Sequence, residues 1–233
     1  MSNQSSSATP PTDSANTHVV ILLDRSGSMS AIATDVIGGV NQLIKEQREN
    51  GSDARMTLIQ FDSQDPQEVV VWGAPVAEIV DLNGSTFQPR GSTPLLDATG
   101  LAIGRTMVDQ QARLATGLPK EDIIFVTVTD GEENCSREYT LKQVRELVES
   151  RTTEGWSFIY LSAGLDAYHD AAQMGFTVGN TMAFSADGAN TGVMFKTASR
   201  GLRELRDKKR RGVHESEMDF FASGKDAETE RDK

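Results

Sequence analysis

The chain has 233 residues, a formal net charge of −11 and a single cysteine, Cys135. An acidic chain is a poor general binder of nucleic acid, because Lys and Arg supply phosphate neutralisation. One cysteine excludes an internal disulfide, and no apolar run nears the roughly 20 residues needed to span a bilayer.

Residues 1–17 are rich in Ser, Thr, Asn and Pro and contain no apolar core of a secretory leader. They read as a disordered tail and point to a cytoplasmic setting. The first strand is expected over 18–24. It is apolar throughout rather than alternating, as a strand covered on both faces should be. It ends in Asp24-Arg25-Ser26-Gly27-Ser28, and a helix-period segment follows over 30–50. Gly38 and Gly39 in that helix are read as close-packing positions against the sheet. A second strand is expected over 55–62 and a third over 68–72. The link between them is too short for a crossover, so the pair should be an antiparallel hairpin. A helix over 94–114 opens at Pro94, with Thr93 as its N-cap. Strand four, 122–129, is another continuous apolar run and stops at Asp130-Gly131. Helix 141–153, strand 157–163, a short helix 167–174, strand 181–185 and a last helix 191–211 complete the series. This alternation predicts an α/β domain over 18–211, a doubly wound, mostly parallel sheet of about six strands with one antiparallel edge strand. Segment 212–233 reads as a charged, flexible tail.

In an open α/β sheet, ligands bind at the carboxyl ends of the strands. Asp24, Ser26 and Ser28 lie there, as does Asp130, and Gly91-Ser92-Thr93-Pro94 delivers a further hydroxyl. Two carboxylates and three hydroxyls form an all-oxygen set suited to Mg²⁺ or Mn²⁺. The plainer reading of the first turn is a cluster that caps a helix N-terminus.

Asp24-x-Ser26-x-Ser28, Thr93 before Pro94, and Asp130 in Val-Thr-Asp-Gly, in that order, resemble the metal-ion-dependent adhesion site of von Willebrand factor A (vWA) domains. The resemblance implies that Ser26, Ser28 and Thr93 bond the cation directly. Asp24 and Asp130 would act largely through metal-bound water, and an open position would take a Glu or Asp side chain from a protein partner. It implies a Rossmann-like fold and a protein-binding module without catalysis. It also implies kinship with stand-alone intracellular bacterial members, which often work beside AAA+ ATPases of the MoxR or chelatase kind.

Two enzyme readings compete. An Asp-nucleophile phosphohydrolase of the haloacid-dehalogenase type also places Asp after strand one, but needs an acid two residues on, where this chain has Ser26. A nucleotide-binding enzyme needs a glycine-rich phosphate loop, and none of the usual patterns is present. Among flanking residues, Arg25 and Met29 are expected to be exposed beside the site. Asp62 is expected to start a turn, Glu132 and Glu133 to lie in a solvated loop, and Asp97 to complement a helix dipole. His18, His169 and His214 fit no metal spacing, and Cys135 has no motif of a nucleophile. The basic run 200–211 suits a helix C-terminus, with binding to nucleic acid or an acidic partner as the second option. Phe220-Phe221 is expected either to pack back on the domain or to serve as a partner-binding motif.

Overall fold

The computed structural model describes residues 17–164, 166–213 and 219–221. The N-terminal tail 1–16, His214 and most of the C-terminal tail lie outside the described residues.

The elements follow the expected order. Strand β1 is Thr17–Asp24, followed by a 3₁₀ turn at Gly27–Ile32 and helix α1 at Ala33–Glu49. Next come β2 (Ala54–Phe61), β3 (Glu68–Pro75) and α2 (Leu95–Ala115). Then come β4 (Asp122–Thr129), α3 (Leu141–Thr153), β5 (Ser157–Ser162), α4 (Ala167–Gln173), β6 (Thr181–Ala183) and α5 (Gly188–Arg210). The six strands form one sheet in the order β3-β2-β1-β4-β5-β6, parallel except for β3.

The apolar run of β1 serves two faces. Val19, Ile21 and Leu23 enter a core with α1 and α5, whereas Val20 and Leu22 enter a second core beneath α2 and α3. Alternate side chains point to opposite faces of a strand, so a strand covered on both must be apolar at every position. Ile123 and Phe125 of β4 face one core while Ile124, Val126 and Val128 face the other, for the same reason. The chain leaves β1 toward β2 on one side, and β4 lies on the other. The strand order therefore reverses between β1 and β4, and a crevice opens at their carboxyl ends.

Two glycines record close approach. A Cβ on Gly39 would lie 2.0 Å from the Phe195 ring, so this residue lets α1 press against α5 rather than against the sheet. A Cβ on Gly201 would lie 2.7 Å from the ring of Phe220. Phe220 and Phe221 are buried in the α1–α5 core, with the Phe221 N–H donating to the Gly179 carbonyl at 3.2 Å. Of the two expectations for this pair, the structure takes packing on the domain.

The basic run of α5 is largely paired. Arg206 is fully buried and donates to the Gln47 carbonyl, the Gln47 side chain, the Gly51 carbonyl and Asp53. Lys209 pairs with Asp122, and Arg210 with Asp53 and Asp207. These contacts bolt the end of α5 to the amino ends of β2 and β4. No helix among the described residues is long and apolar enough to cross a membrane.

Phe221 is 1% exposed. Phe221→Ala is expected to lower the stability of the full chain by about 3 kcal/mol, the low end for truncating a buried Phe. A urea unfolding midpoint equal to that of the unsubstituted chain would show that this segment contributes nothing to the fold.

Candidate metal centre

The crevice between β1 and β4 gathers the five positions marked in the sequence. β1 ends at Asp24, whose carboxylate is fully buried. Its Oδ1 accepts the Ser26 N–H at 2.6 Å, and its Oδ2 accepts the Thr129 hydroxyl at 2.6 Å. Thr129 is the last residue of the adjacent strand, so this bond ties the two strand ends together across the crevice. The Ser28 hydroxyl donates to Asp130 Oδ1 at 2.8 Å. With its hydrogen so committed, Ser28 accepts from the Ser26 hydroxyl at 3.0 Å. Thr93 is reached through Gly131, where a Cβ would lie 3.4 Å from Thr93 Oγ1 and 3.7 Å from Ser28 Oγ. Asp24, Ser26 and Thr93 are buried while Ser28 is exposed, so the cluster opens to solvent on the Ser28 side.

Thr93 is not the N-cap expected for α2. Pro94 occupies that position, and α2 has no side-chain cap of its own. The loop after β4 supplies the acceptors instead. Glu133 accepts the N–H of Leu96 as well as those of Cys135 and Ser136, and the Ser136 hydroxyl accepts the Asp97 N–H. Asn134 brackets Thr93, accepting its N–H at 2.9 Å and donating to its carbonyl at 3.2 Å. Asp97 is buried and accepts three backbone N–H groups, from Arg137, Glu138 and Tyr139. Glu133 is thus a structural acceptor and not a solvated loop acid, and Asp97 organises a loop as well as a helix start. Together they fasten loop 130–139 to the start of α2, and the Thr93 hydroxyl is spared from helix capping.

Arg25 and Met29 also differ from expectation. Arg25 is 3% exposed and Met29 is fully buried. Met29 joins the α1–α5 core, while Arg25 turns sideways to Asp62. Asp62 does start a turn, accepting the N–H groups of Gln64 and Asp65. Sequence reasoning missed Thr129, Asn134 and the Arg25–Asp62 pair as parts of the site. Thr129 alone left a signal, as a hydroxyl beside Asp130 at the end of an otherwise apolar run.

The electrostatics are lopsided. Burial pushes the Asp24 carboxyl up to about 6, against the lowering effect of its bonds to Thr129 and Ser26. Burial also raises Asp130, and the two acids oppose each other's ionisation. Among the described residues no Lys or Arg is hydrogen-bonded or ion-paired to either carboxylate. The donor set is therefore two carboxylates and three hydroxyls without a protein countercharge, and its chemistry fits a hard divalent cation.

A second group of possible ligands lies at the opposite end of the sheet. His18, Asp109 and Glu121 bring ligand atoms within 4.8 Å of one another. Sequence spacing gave no hint of it, since the three lie on β1, α2 and the approach to β4. Its carboxylates are already neutralised. Arg55 donates to Glu121 at 2.6 and 2.7 Å and also to Asp109, and Arg113 lies 3.2 Å from Glu121. Burial and Arg55 push the His18 imidazole down to about 3, so it is neutral. A divalent cation there would meet two guanidinium groups, and the cluster is better described as a buried ion-pair network.

No family model and no curated protein matches the chain. Solved structures do. The SpaC pilus adhesin of Lactobacillus rhamnosus GG aligns with a TM-score of 0.58 at 12% identity, over 81% of this chain and 31% of the adhesin. Proximal thread matrix protein 1 from the mussel byssus aligns at 0.52 and 14% identity, over 78% of this chain and 46% of that protein. The SpRpn10 VWA domain aligns at 0.50 and 10% identity, over 76% of this chain and 93% of that domain. The chain thus spans under half the length of the mussel protein and about a third of the adhesin. At such identities the likeness is one of fold, and the fold is the Rossmann-like α/β fold of vWA domains.

Because the native Asp24 carboxyl titrates near 6 and the unfolded one near 3.8, the native state binds more protons between these values. The contribution of Asp24 to stability therefore declines as pH rises from about 4 to about 6 and is flat above. In EDTA at pH 7, Asp24→Asn is expected to stabilise the chain by on the order of 2 kcal/mol, with the gain vanishing near pH 4. Urea unfolding of both proteins across this range checks the sign. A carboxamide variant less stable at pH 7 would contradict it.

Proposed function

We propose that the chain is a divalent-metal-dependent protein-binding module without catalysis of its own. Ser26, Ser28 and Thr93 hold Mg²⁺ or Mn²⁺ directly. Asp24 and Asp130 serve it largely through bound water and by their charge. When bound, the cation supplies an electrophilic position for a Glu or Asp side chain of another protein. The observation that carries this reading is the pair of acids, Asp24 and Asp130, set among hydroxyls and, among the described residues, paired with no Lys or Arg.

This division of labour is what the sequence resemblance implies, and the geometry is compatible with it. Asp24 is held by a backbone N–H and by Thr129, which fixes its carboxylate at the floor of the crevice. The hydroxyls of Ser26 and Ser28 stand 3.0 Å apart above it, and Asp130 reaches Ser28 from the opposite strand. Direct ligands that are mostly neutral leave positive charge on the cation, and an incoming carboxylate is drawn to that charge. Ser28, on the exposed side, marks where the partner enters.

The same geometry disfavours the phosphohydrolase reading. Both Asp24 oxygens are engaged and buried, so neither is presented for attack on phosphorus. Residue 26 is a hydroxyl that donates to Ser28, where general acid–base work on a leaving oxygen needs a carboxyl. For a cytoplasmic setting and an AAA+ ATPase of the MoxR or chelatase kind as partner, the support is the sequence resemblance and the single cysteine.

Calorimetric titration of the full chain with Mn²⁺ tests the site directly. Asp24→Ala and Thr93→Ala are each expected to weaken binding by at least about tenfold, the usual scale for disturbing a metal's immediate supports. Affinity capture with Mg²⁺ and again with EDTA tests the partner. Proteins retained equally in both would rule out a metal-bridged contact.

A further inference from the structure

The Arg25 guanidinium is buried and touches three side chains of the neighbouring hairpin. Its Nε and Nη2 donate to Asp62 Oδ2 at 2.9 and 2.6 Å, and its Nη1 donates to Gln60 at 3.1 Å. Nη2 also lies 2.7 Å from Glu68 Oε2. The main chain of the same residue is fastened too: its N–H donates to the Phe61 carbonyl at 2.9 Å, and its carbonyl accepts the Arg90 N–H at 2.8 Å. Around this residue three chain segments converge. Gly27 N–H donates to the Gly91 carbonyl at 3.1 Å, Ser63 N–H to the Ser92 carbonyl at 3.0 Å, and Arg90 Nε to Asp62 Oδ2 at 3.0 Å. Thr93 follows immediately along the last of these segments. The two halves of the hydroxyl set, Ser26 with Ser28 and Thr93, are thus held in mutual position from one side by backbone bonds and by an ion-pair cluster centred on buried Arg25 and Asp62.

We propose that Arg25 is a positioning residue for the cation, and that through it the edge hairpin of β2 and β3 sets the affinity of the site. This rests on the metal-dependent reading above. The physical reason is geometric. A guanidinium presents a planar fork, so it can bridge Asp62, Gln60 and Glu68 at fixed angles, whereas an ammonium offers charge without that fork. Backbone bonds at Arg25 and Gly27 fix the main chain of the turn, the Arg25 guanidinium adds the side-chain contacts to the hairpin, and neither Ser26 nor Ile32 caps the following helical turns through a side chain. Arg25 touches no proposed ligand through its side chain, and acts only by where it keeps its neighbours. Glu68 is 39% exposed, so one member of the clamp is within reach of anything that approaches the sheet edge.

Arg25→Lys keeps the charge and removes the fork. In the full chain it is expected to weaken Mn²⁺ binding roughly tenfold, the low end for losing an outer-shell partner of a metal ligand, with the far-UV circular dichroism unchanged. Glu68→Gln, at a half-exposed position, is expected to produce a smaller loss in the same direction and carries the test if the lysine variant does not fold. Unaltered Mn²⁺ affinity in a folded Arg25→Lys chain, or in Glu68→Gln when that variant stands in, would overturn the proposal. Hydrogen exchange in EDTA gives a readout independent of metal. Amides 26–30 and 90–93 should exchange faster in Arg25→Lys while those of β4 and α3 do not change, and equal exchange in the turn would overturn the clamp. If the unsubstituted chain binds no Mn²⁺, the metal-dependent reading fails, and the exchange result still decides whether Arg25 holds the turn.

Discussion

A carboxylate buried at the end of the central strand, paired with no Lys or Arg among the described residues, is the constraint around which this molecule is arranged. Asp24 is fixed by its place in β1, by the Ser26 amide and by Thr129 from β4. Other buried acids are settled differently. Asp62 meets Arg25 and Arg90, Glu121 meets Arg55 and Arg113, and Asp97 accepts three backbone N–H groups. Asp24 has one amide and one hydroxyl, and burial raises its affinity for protons. This energetically poor residue sits at a strand end where the topology opens a crevice, and groups perturbed in that way concentrate at functional sites.

Much of the fold could be read directly from the sequence, because a doubly covered strand must be apolar at every position. β1 and β4 announce themselves in that way, and the acid at the end of each follows from the same pattern. The antiparallel third strand was legible from the short link between Asp62 and Glu68. The juxtaposition of Asp24, Ser26, Ser28, Thr93 and Asp130 was legible too, since each lies at a strand end or a helix start on one side of the sheet.

The supports of the site were not legible, and the reason is physical. Arg25 follows an acid in a polar turn, and nothing local shows that its side chain runs inward to Asp62, 37 positions further along the chain. Glu133 and Asp97 look like surface acids because each finds its partners in a different loop, so their role exists only once α2 and the loop after β4 have docked. Thr93 reads as a helix cap by local rules, yet that task has passed to acceptors from loop 130–139. The basic run of α5 reads as a charged surface until the amino ends of β2 and β4 are placed against it.

The sheet has two rims, β6 and β3. On one side β6 offers three residues, and on the other β3 meets β2 with register shifts between Met56 and Leu58 and between Leu58 and Ile59. β6 is short, and the irregular pairing of the eight-residue β3 bends that edge, which are two of the devices that blunt a sheet rim against a visiting strand. The loop-bearing end offers side chains rather than free backbone, so any selectivity built there is chemical and not a matter of backbone pairing.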